Sequence, residues 1–111
     1  PGCVLTEGTI LGGNNTFGLC SYVNLGCKIG HNASLGACSV LSPGCIVSGS
    51  VTIGDGTYIG TGAAIRDEVT IGKNCIIGMG SLVTKNIPDN VVAYGSPCRA
   101  VRENTDGIVF R

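Results

Sequence analysis

The sequence predicts an all-β chain wound as a parallel β-helix, and three observations carry that prediction. Stepping by six from Leu5, every position is a large apolar residue: Leu5, Leu11, Phe17, Val23, Ile29, Leu35, Leu41, Val47, Ile53, Ile59, Ile65, Ile71, Ile77 and Val83. Chance would give such a run less than about once in a million trials. The next residue is usually glycine, as at Gly12, Gly18, Gly30, Gly36, Gly54, Gly60, Gly72 and Gly78. Two residues before each large side chain, Phe17 with its Asn15 excepted, stands a small or β-branched one, including Cys3, Cys27, Ala33, Ser39, Cys45, Val51, Thr57 and Cys75.

Each unit therefore points one small and one large side chain the same way, two positions apart, which is strand periodicity. Glycine supplies the tight corner between flat strips, where a Cβ would cost energy. An α-helix would put residues six apart on different faces. Hairpins would need units of alternating direction, and these all run the same way. A short fixed period without reversal is the signature of a β-helix. The period ends at Val83. After it, Pro88-Asp89-Asn90 reads as a turn and Val91 to Tyr94 as a short extended strip. The remainder reads as an irregular tail with one short helical turn near Cys98 to Glu103. Both open ends of a β-helix are strand edges that need covering. Residues 88–111 are thus expected to cap a domain spanning residues 1–87.

At 111 residues the chain makes one modest domain, which would gain from a partner's surface. Zero formal charge and 5% aromatic residues argue against broad electrostatic or stacking contact with nucleic acid. Glycine and polar residues interrupt every apolar run before it reaches a membrane span. No signal peptide is visible and the first residue is Pro1, so a processed or partial chain is expected. Seven cysteines make an odd count with no repeated paired spacing. Without a leader, the expected compartment is reducing, namely the cytoplasm. Cys3, Cys27, Cys45 and Cys75 occupy the small inward slot, where packing thiols are expected. Cys20, Cys38 and Cys98 lie outside that slot.

This repeat resembles that of the hexapeptide-repeat proteins. The resemblance implies a left-handed β-helix of triangular cross-section, with three hexapeptides and so eighteen residues per coil. Ordinary crossover rules would favour the opposite hand. Residues 4 to 87 would then form about five coils, with side chains stacked in columns roughly 4.8 Å apart. Cys27 would lie under Cys45 and Cys20 under Cys38, within the Cα separation that a disulfide spans. His31, the only histidine, would stand at a corner in the column Gly13, His31, Gly49, Asp67, Lys85. The lysine would sit roughly 14 Å above it.

Three segments narrow the resemblance: NLGCKIGHNASLG, LSPGCIVSGSVTIGDGTYIGTGAAIRDEVTIGKNCIIGMGSLVTKNIPDN and VVAYGSPCRAV. They are similar to the C-terminal half of hexapeptide-repeat acetyltransferases that modify nucleotide-linked amino sugars or sialic acids. The resemblance implies acetyl transfer from acetyl-coenzyme A to an amine or hydroxyl of a sugar or nucleotide-sugar, with no metal and no covalent intermediate. His31 would be the general base, a role that suits an imidazole. Asn24 would help position the acceptor. A backbone N–H near Gly49 would stabilise the oxyanion or hold the thioester. The strip Ile77-Gly78-Met79-Gly80 would carry the pantetheine arm. Lys85 and Arg99 would meet the coenzyme's phosphates, with Lys73 a weaker candidate. The groove would lie between subunits of a homotrimer.

Asn32 departs from this pattern, because relatives usually place Asp or Glu directly after the histidine. An amide can hold an imidazole tautomer but cannot stabilise an imidazolium as a carboxylate does. Cys98 stands where alanine is common. The resemblance implies a small N-terminal domain that binds the sugar nucleotide; these 111 residues do not include it, and the acceptor is unread. The alternative is a non-catalytic or decayed trimeric scaffold, which a coenzyme A binding measurement would separate from the enzyme. A zinc carbonic anhydrase of the same fold needs three histidines, and this chain has one. Asp67 reads as a turn residue rather than an acid catalyst. No flat outward array of threonines, as on ice-binding repeat proteins, is read.

Overall fold

The computed structural model describes residues 4–104. Cys3 and the end of the expected tail, residues 105–111, lie outside the described residues. Fourteen two-residue strands follow one another: β1 (Val4–Leu5), β2 (Ile10–Leu11), β3 (Thr16–Phe17), β4 (Tyr22–Val23), β5 (Lys28–Ile29), β6 (Ser34–Leu35), β7 (Val40–Leu41), β8 (Ile46–Val47), β9 (Thr52–Ile53), β10 (Tyr58–Ile59), β11 (Ala64–Ile65), β12 (Thr70–Ile71), β13 (Ile76–Ile77) and β14 (Leu82–Val83). Two longer strands, β15 (Val91–Gly95) and β16 (Cys98–Glu103), end the series. Among the described residues there is no helix, and so none long and apolar enough to cross a membrane.

The strands stack into three sheets, which form the three faces of a solenoid. Sheet I runs β1-β4-β7-β10-β13-β15-β16, sheet II β2-β5-β8-β11-β14, and sheet III β3-β6-β9-β12. Strands pair in parallel with the strand one circuit on, as Val4 with Tyr22 and Ala64 with Leu82, so each circuit takes eighteen residues. About five coils result. The last circuit is different. Ile71 bridges Ile87, and Ile76 pairs Val92, each sixteen residues on. The corner at residues 84–86 is therefore two residues short. Asn86 repairs the gap: its Oδ1 accepts the Thr70 N–H at 2.8 Å. In the coils below, backbone carbonyls of Val51 and Val69 do that for Ser34 and Thr52.

The apolar period faces inward because a strand alternates its sides. Leu41, Ile59 and Ile77 form one buried column, Val47, Ile65 and Val83 a second, and Leu35, Ile53 and Ile71 a third. Each such side chain contributes about 1.5–3 kcal/mol on burial. The small slot holds polar groups that satisfy themselves locally. Ser39 and Thr57 donate to the Gly36 and Gly72 carbonyls, both at 2.7 Å. Cys27, Cys45 and Cys75 are buried and free, as packing thiols should be. Cys45 donates to the Gly60 carbonyl at 3.1 Å. Its thiol is pushed up first by a hydrogen bond with Cys27 and then by burial.

The outward residues differ by face. Sheet I presents Tyr22, Val40, Tyr58 and Ile76, and sheet II presents Ile10, Lys28, Ile46, Ala64 and Leu82. Sheet III presents Thr16, Ser34, Thr52 and Thr70 in single file. The expectation of no threonine array is thus corrected: one hydroxyl file exists, because the position before each inward residue points out.

The tail is more regular than expected. Instead of a helical turn, Cys98–Glu103 forms β16, antiparallel to β15 with a bulge between Val92 and Ala93. Parallel pairing with β13 occupies one side of β15, and the other side needs a partner. The chain supplies it by reversing after Gly95. Asn104 ties the end down, donating from Nδ2 to the Asn74 carbonyl at 2.9 Å and from its N–H to the Asn90 carbonyl at 2.8 Å.

Candidate active site

Three edges separate the sheets, and each stacks one corner of every coil. The I–II edge holds Asn24-Leu25-Gly26, Ser42-Pro43-Gly44 and Gly78-Met79-Gly80. The II–III edge holds Gly30-His31-Asn32, Ser48-Gly49-Ser50, Arg66-Asp67-Glu68 and Thr84-Lys85-Asn86. The III–I edge holds Leu19-Cys20, Ala37-Cys38, Asp55-Gly56 and Lys73-Asn74.

His31 is exposed on the II–III edge, and its backbone is fixed from both sides. Its carbonyl accepts the Ser50 N–H from the coil on one side at 2.8 Å, and the next residue's N–H, from Asn32, reaches the Gly13 carbonyl at 3.0 Å. The ring lies against Gly49. A Cβ there would sit 2.9 Å from Nε2 and 3.0 Å from Cε1, so a side chain at 49 would push the imidazole from where it lies. The Gly49 carbonyl accepts from the Glu68 N–H at 3.0 Å, while no hydrogen bond among the described residues engages its N–H. A backbone donor thus stands beside the imidazole at an open edge.

Asn32, in a left-handed conformation (φ 57°), turns its Nδ2 to His31 Nδ1 at 3.2 Å. An amide nitrogen only donates, so Nδ1 accepts and the neutral ring carries its proton on Nε2. With the amide turned over, Oδ1 would accept from Nδ1–H and Nε2 would be left with a free lone pair. The direction of this one bond selects the nitrogen that can take a proton.

The remaining candidates lie elsewhere. Asn24 sits on the I–II edge, where its Oδ1 accepts the Leu25 N–H at 2.7 Å and holds its own corner. Gly78 and Met79 share that edge. The Gly78 N–H is already given to the Ala93 carbonyl at 2.9 Å. A Cβ at Gly78 would meet the Tyr94 Cβ at 2.6 Å, so the closing strand explains this glycine. Met79 is 76% exposed. Arg99 is exposed on β16 opposite Tyr94, beyond the same edge. Lys85 is exposed on the His31 edge, but in the shortened corner, so the column of eighteen holds from Gly13 to Asp67 and is broken at the lysine. One chain therefore unites His31, Asn32 and Gly49, with Lys85 at the far end. It sets Asn24, Gly78, Met79 and Arg99 on another edge.

Sequence reasoning placed Gly49 above His31 in the column but did not show that the ring leans onto it. The signal was present: corner glycine normally follows the large apolar residue directly, but after Val47 comes Ser48, and glycine stands one place later. Among the described residues no three of His, Cys, Asp or Glu gather as a metal site.

A family model described as bacterial transferase hexapeptide (six repeats) matches residues 50–85. No curated protein matches the chain in sequence. Several solved structures do. A mutant perosamine N-acetyltransferase from Caulobacter crescentus, in complex with CoA and GDP-perosamine, is 28% identical with a TM-score of 0.79, over 93% of this chain and 55% of that one. The acetyltransferase domain of PglB from Neisseria gonorrhoeae FA1090, in complex with acetyl coenzyme A, is 26% identical with a TM-score of 0.73, over 91% of this chain and 55% of that one. Serine acetyltransferase (CysE) from Neisseria gonorrhoeae is 28% identical with a TM-score of 0.81, over 87% of this chain and 41% of that one. The chain spans about half the length of the structures it matches. The repeat matched at residues 50–85 and the three-sheet solenoid make this chain similar in fold to these acetyltransferase structures.

Proposed function

We propose that this chain is the β-solenoid part of an acetyltransferase that moves an acetyl group from acetyl-coenzyme A to an amine or hydroxyl of a sugar or nucleotide-sugar. The observation that carries the proposal is His31 at an open edge, its ring against Gly49 and its Nδ1 in contact with Asn32. Likeness to acetyltransferases solved with CoA or acetyl coenzyme A supports it, and no observation favours a scaffold. Acetyl-coenzyme A supplies the activated thioester. With the Asn32 amide turned over from the orientation seen, so that Oδ1 accepts from Nδ1–H, His31 Nε2 takes the proton of the attacking amine or hydroxyl. The Gly49 N–H donates to the carbonyl oxygen as it gains charge. General-base help of this kind is worth about 10²–10⁴ in rate.

The split of the candidate residues between two edges supports a site shared by subunits. Sheets I and II both face outward with apolar residues, and Leu25 and Met79 stand exposed on the edge between them. In a homotrimer, a neighbour seated on sheet II would bring its own I–II edge, with Asn24, Gly78 and Met79, against His31. Lys85 and Arg99 would then flank the C-terminal end of the groove, where phosphates need cations.

Calorimetric titration with coenzyme A, paired with thiol-release assays over sugar amines and nucleotide-sugars, tests this. His31→Ala should lower kcat by about 10²–10⁴ while coenzyme A binding is kept. Full turnover in His31→Ala, or no affinity for coenzyme A in the unaltered protein, would remove the proposal.

A further inference from the structure

On the III–I edge every corner has one residue in the left-handed region. From the first coil upward these are Cys20 (φ 62°), Cys38 (φ 57°), Gly56 (φ 68°), Asn74 (φ 54°) and Asn90 (φ 59°). Glycine and asparagine reach this conformation most readily, whereas a cysteine gains nothing there to offset its Cβ. The corner turn itself demands this backbone, since Ser50 (φ 58°) and Glu68 (φ 62°) hold it on the II–III edge; what sets the III–I edge apart is that two thiols share it. Cys20 and Cys38 stand on adjacent rungs. The Cys38 N–H donates to the Leu19 carbonyl at 2.8 Å, and the strands that follow pair Tyr22 with Val40. Both thiols are exposed, unlike the stacked pair Cys27 and Cys45 inside the core. Partial desolvation, then the charge of Cys20 and a hydrogen bond with it, hold the Cys38 pKa above its ordinary value. The two sulfurs are therefore already neighbours.

We propose that Cys20 and Cys38 form a reversible oxidation site, a surface dithiol that a small disulfide such as oxidised glutathione converts into a cross-coil disulfide. Rungs about 4.8 Å apart lie inside the roughly 4.4–6.8 Å Cα window for a disulfide. One thiolate attacks a sulfur of the small disulfide and releases one small thiol. The second cysteine then attacks the protein sulfur of that mixed disulfide and releases the other. Two protein thiols are oxidised, one small disulfide is reduced to two thiols, and the two cysteine protons go to them. The inference is independent of acetyl transfer.

The bond would staple the first coil to the second. The first coil is the least covered part of the solenoid: its inward Leu5 and Leu11 are 45% and 40% exposed. It also floors the His31 corner, since Gly13 and Asn15 accept the N–H groups of Asn32 and Ala33 at 3.0 and 2.9 Å. Oxidation would thus steady the coil beneath the histidine.

The test incubates the folded full chain with oxidised glutathione over a range of redox ratios, blocks free thiols and maps peptides by mass spectrometry. The expected product is a Cys20–Cys38 linked peptide that dithiothreitol reverses, with Cys27 and Cys45 still free. The melting temperature should rise by several degrees on oxidation. Cys38→Asn carries the residue that later coils use at this corner. It should fold, form no linked peptide and melt at the same temperature under both conditions. Separate glutathione adducts without a link, a link seen only after unfolding, or no reaction at all would each overturn the proposal.

Discussion

At residue scale, Asn32 decides what His31 can do. Its amide presents a donor at one end and an acceptor at the other, and only the acceptor end leaves Nε2 free to take a proton. A carboxylate has no donor end when ionised, so it holds Nδ1–H and frees Nε2 at all times. Asn32→Asp should therefore raise kcat/KM, by about tenfold, with coenzyme A affinity unchanged. Steady-state kinetics beside a binding isotherm reads both numbers. A fall in kcat/KM with unaltered binding would show that the amide, not a carboxylate, suits this site. The histidine itself was legible, as the sole imidazole at a corner of the repeat. Its contact with Gly49 was not, because a sequence read in columns marks which residues stack and not which way a corner side chain leans.

At the scale of elements, the solenoid was legible because one side chain in six has to be large and inward. That demand leaves a period which outlasts every variation in the corners. The shortened last coil was not legible. Ile87 follows Val83 by four residues instead of six, and nothing in the composition of Thr84-Lys85-Asn86 says that the chain still pairs. What permits the short corner is a single side chain, since Asn86 Oδ1 replaces a missing carbonyl for Thr70. Strand β16 was hidden for a related reason: it pairs with an edge that exists only after β15 has docked. Asn86→Ala should cost about 1–2 kcal/mol by leaving the Thr70 N–H without its acceptor. Asn86→Asp keeps an acceptor and should cost less. Urea unfolding of the three proteins decides the matter, and equal losses in both variants would mean that the acceptor is not what the corner needs.

At the scale of the whole molecule, the three faces are unequal. Sheet III shows a file of hydroxyls, which water solvates well, while sheets I and II show tyrosine and aliphatic residues with a single lysine, Lys28, around an edge that exposes Leu25 and Met79. A small solenoid has a large surface for its volume and gains from covering such faces. Two apolar faces meeting at one edge suit a closed ring of three, in which one face of each copy meets the other face of the next. Leu82 and Ile46 lie on sheet II, exposed and far from the core columns. The double variant Ile46→Arg, Leu82→Arg should keep its circular dichroism spectrum and sediment as an 11.2 kDa monomer, while the unaltered chain sediments as a trimer. Thr52→Arg, on the hydroxyl face, should leave the trimer intact. Because the proposed trimer would join the two edges that carry the site candidates, the monomeric variant should also lose transfer activity with His31 untouched. A trimer that survives both arginines, or a monomer that still turns over, would place the whole site within one chain and end the shared-groove account.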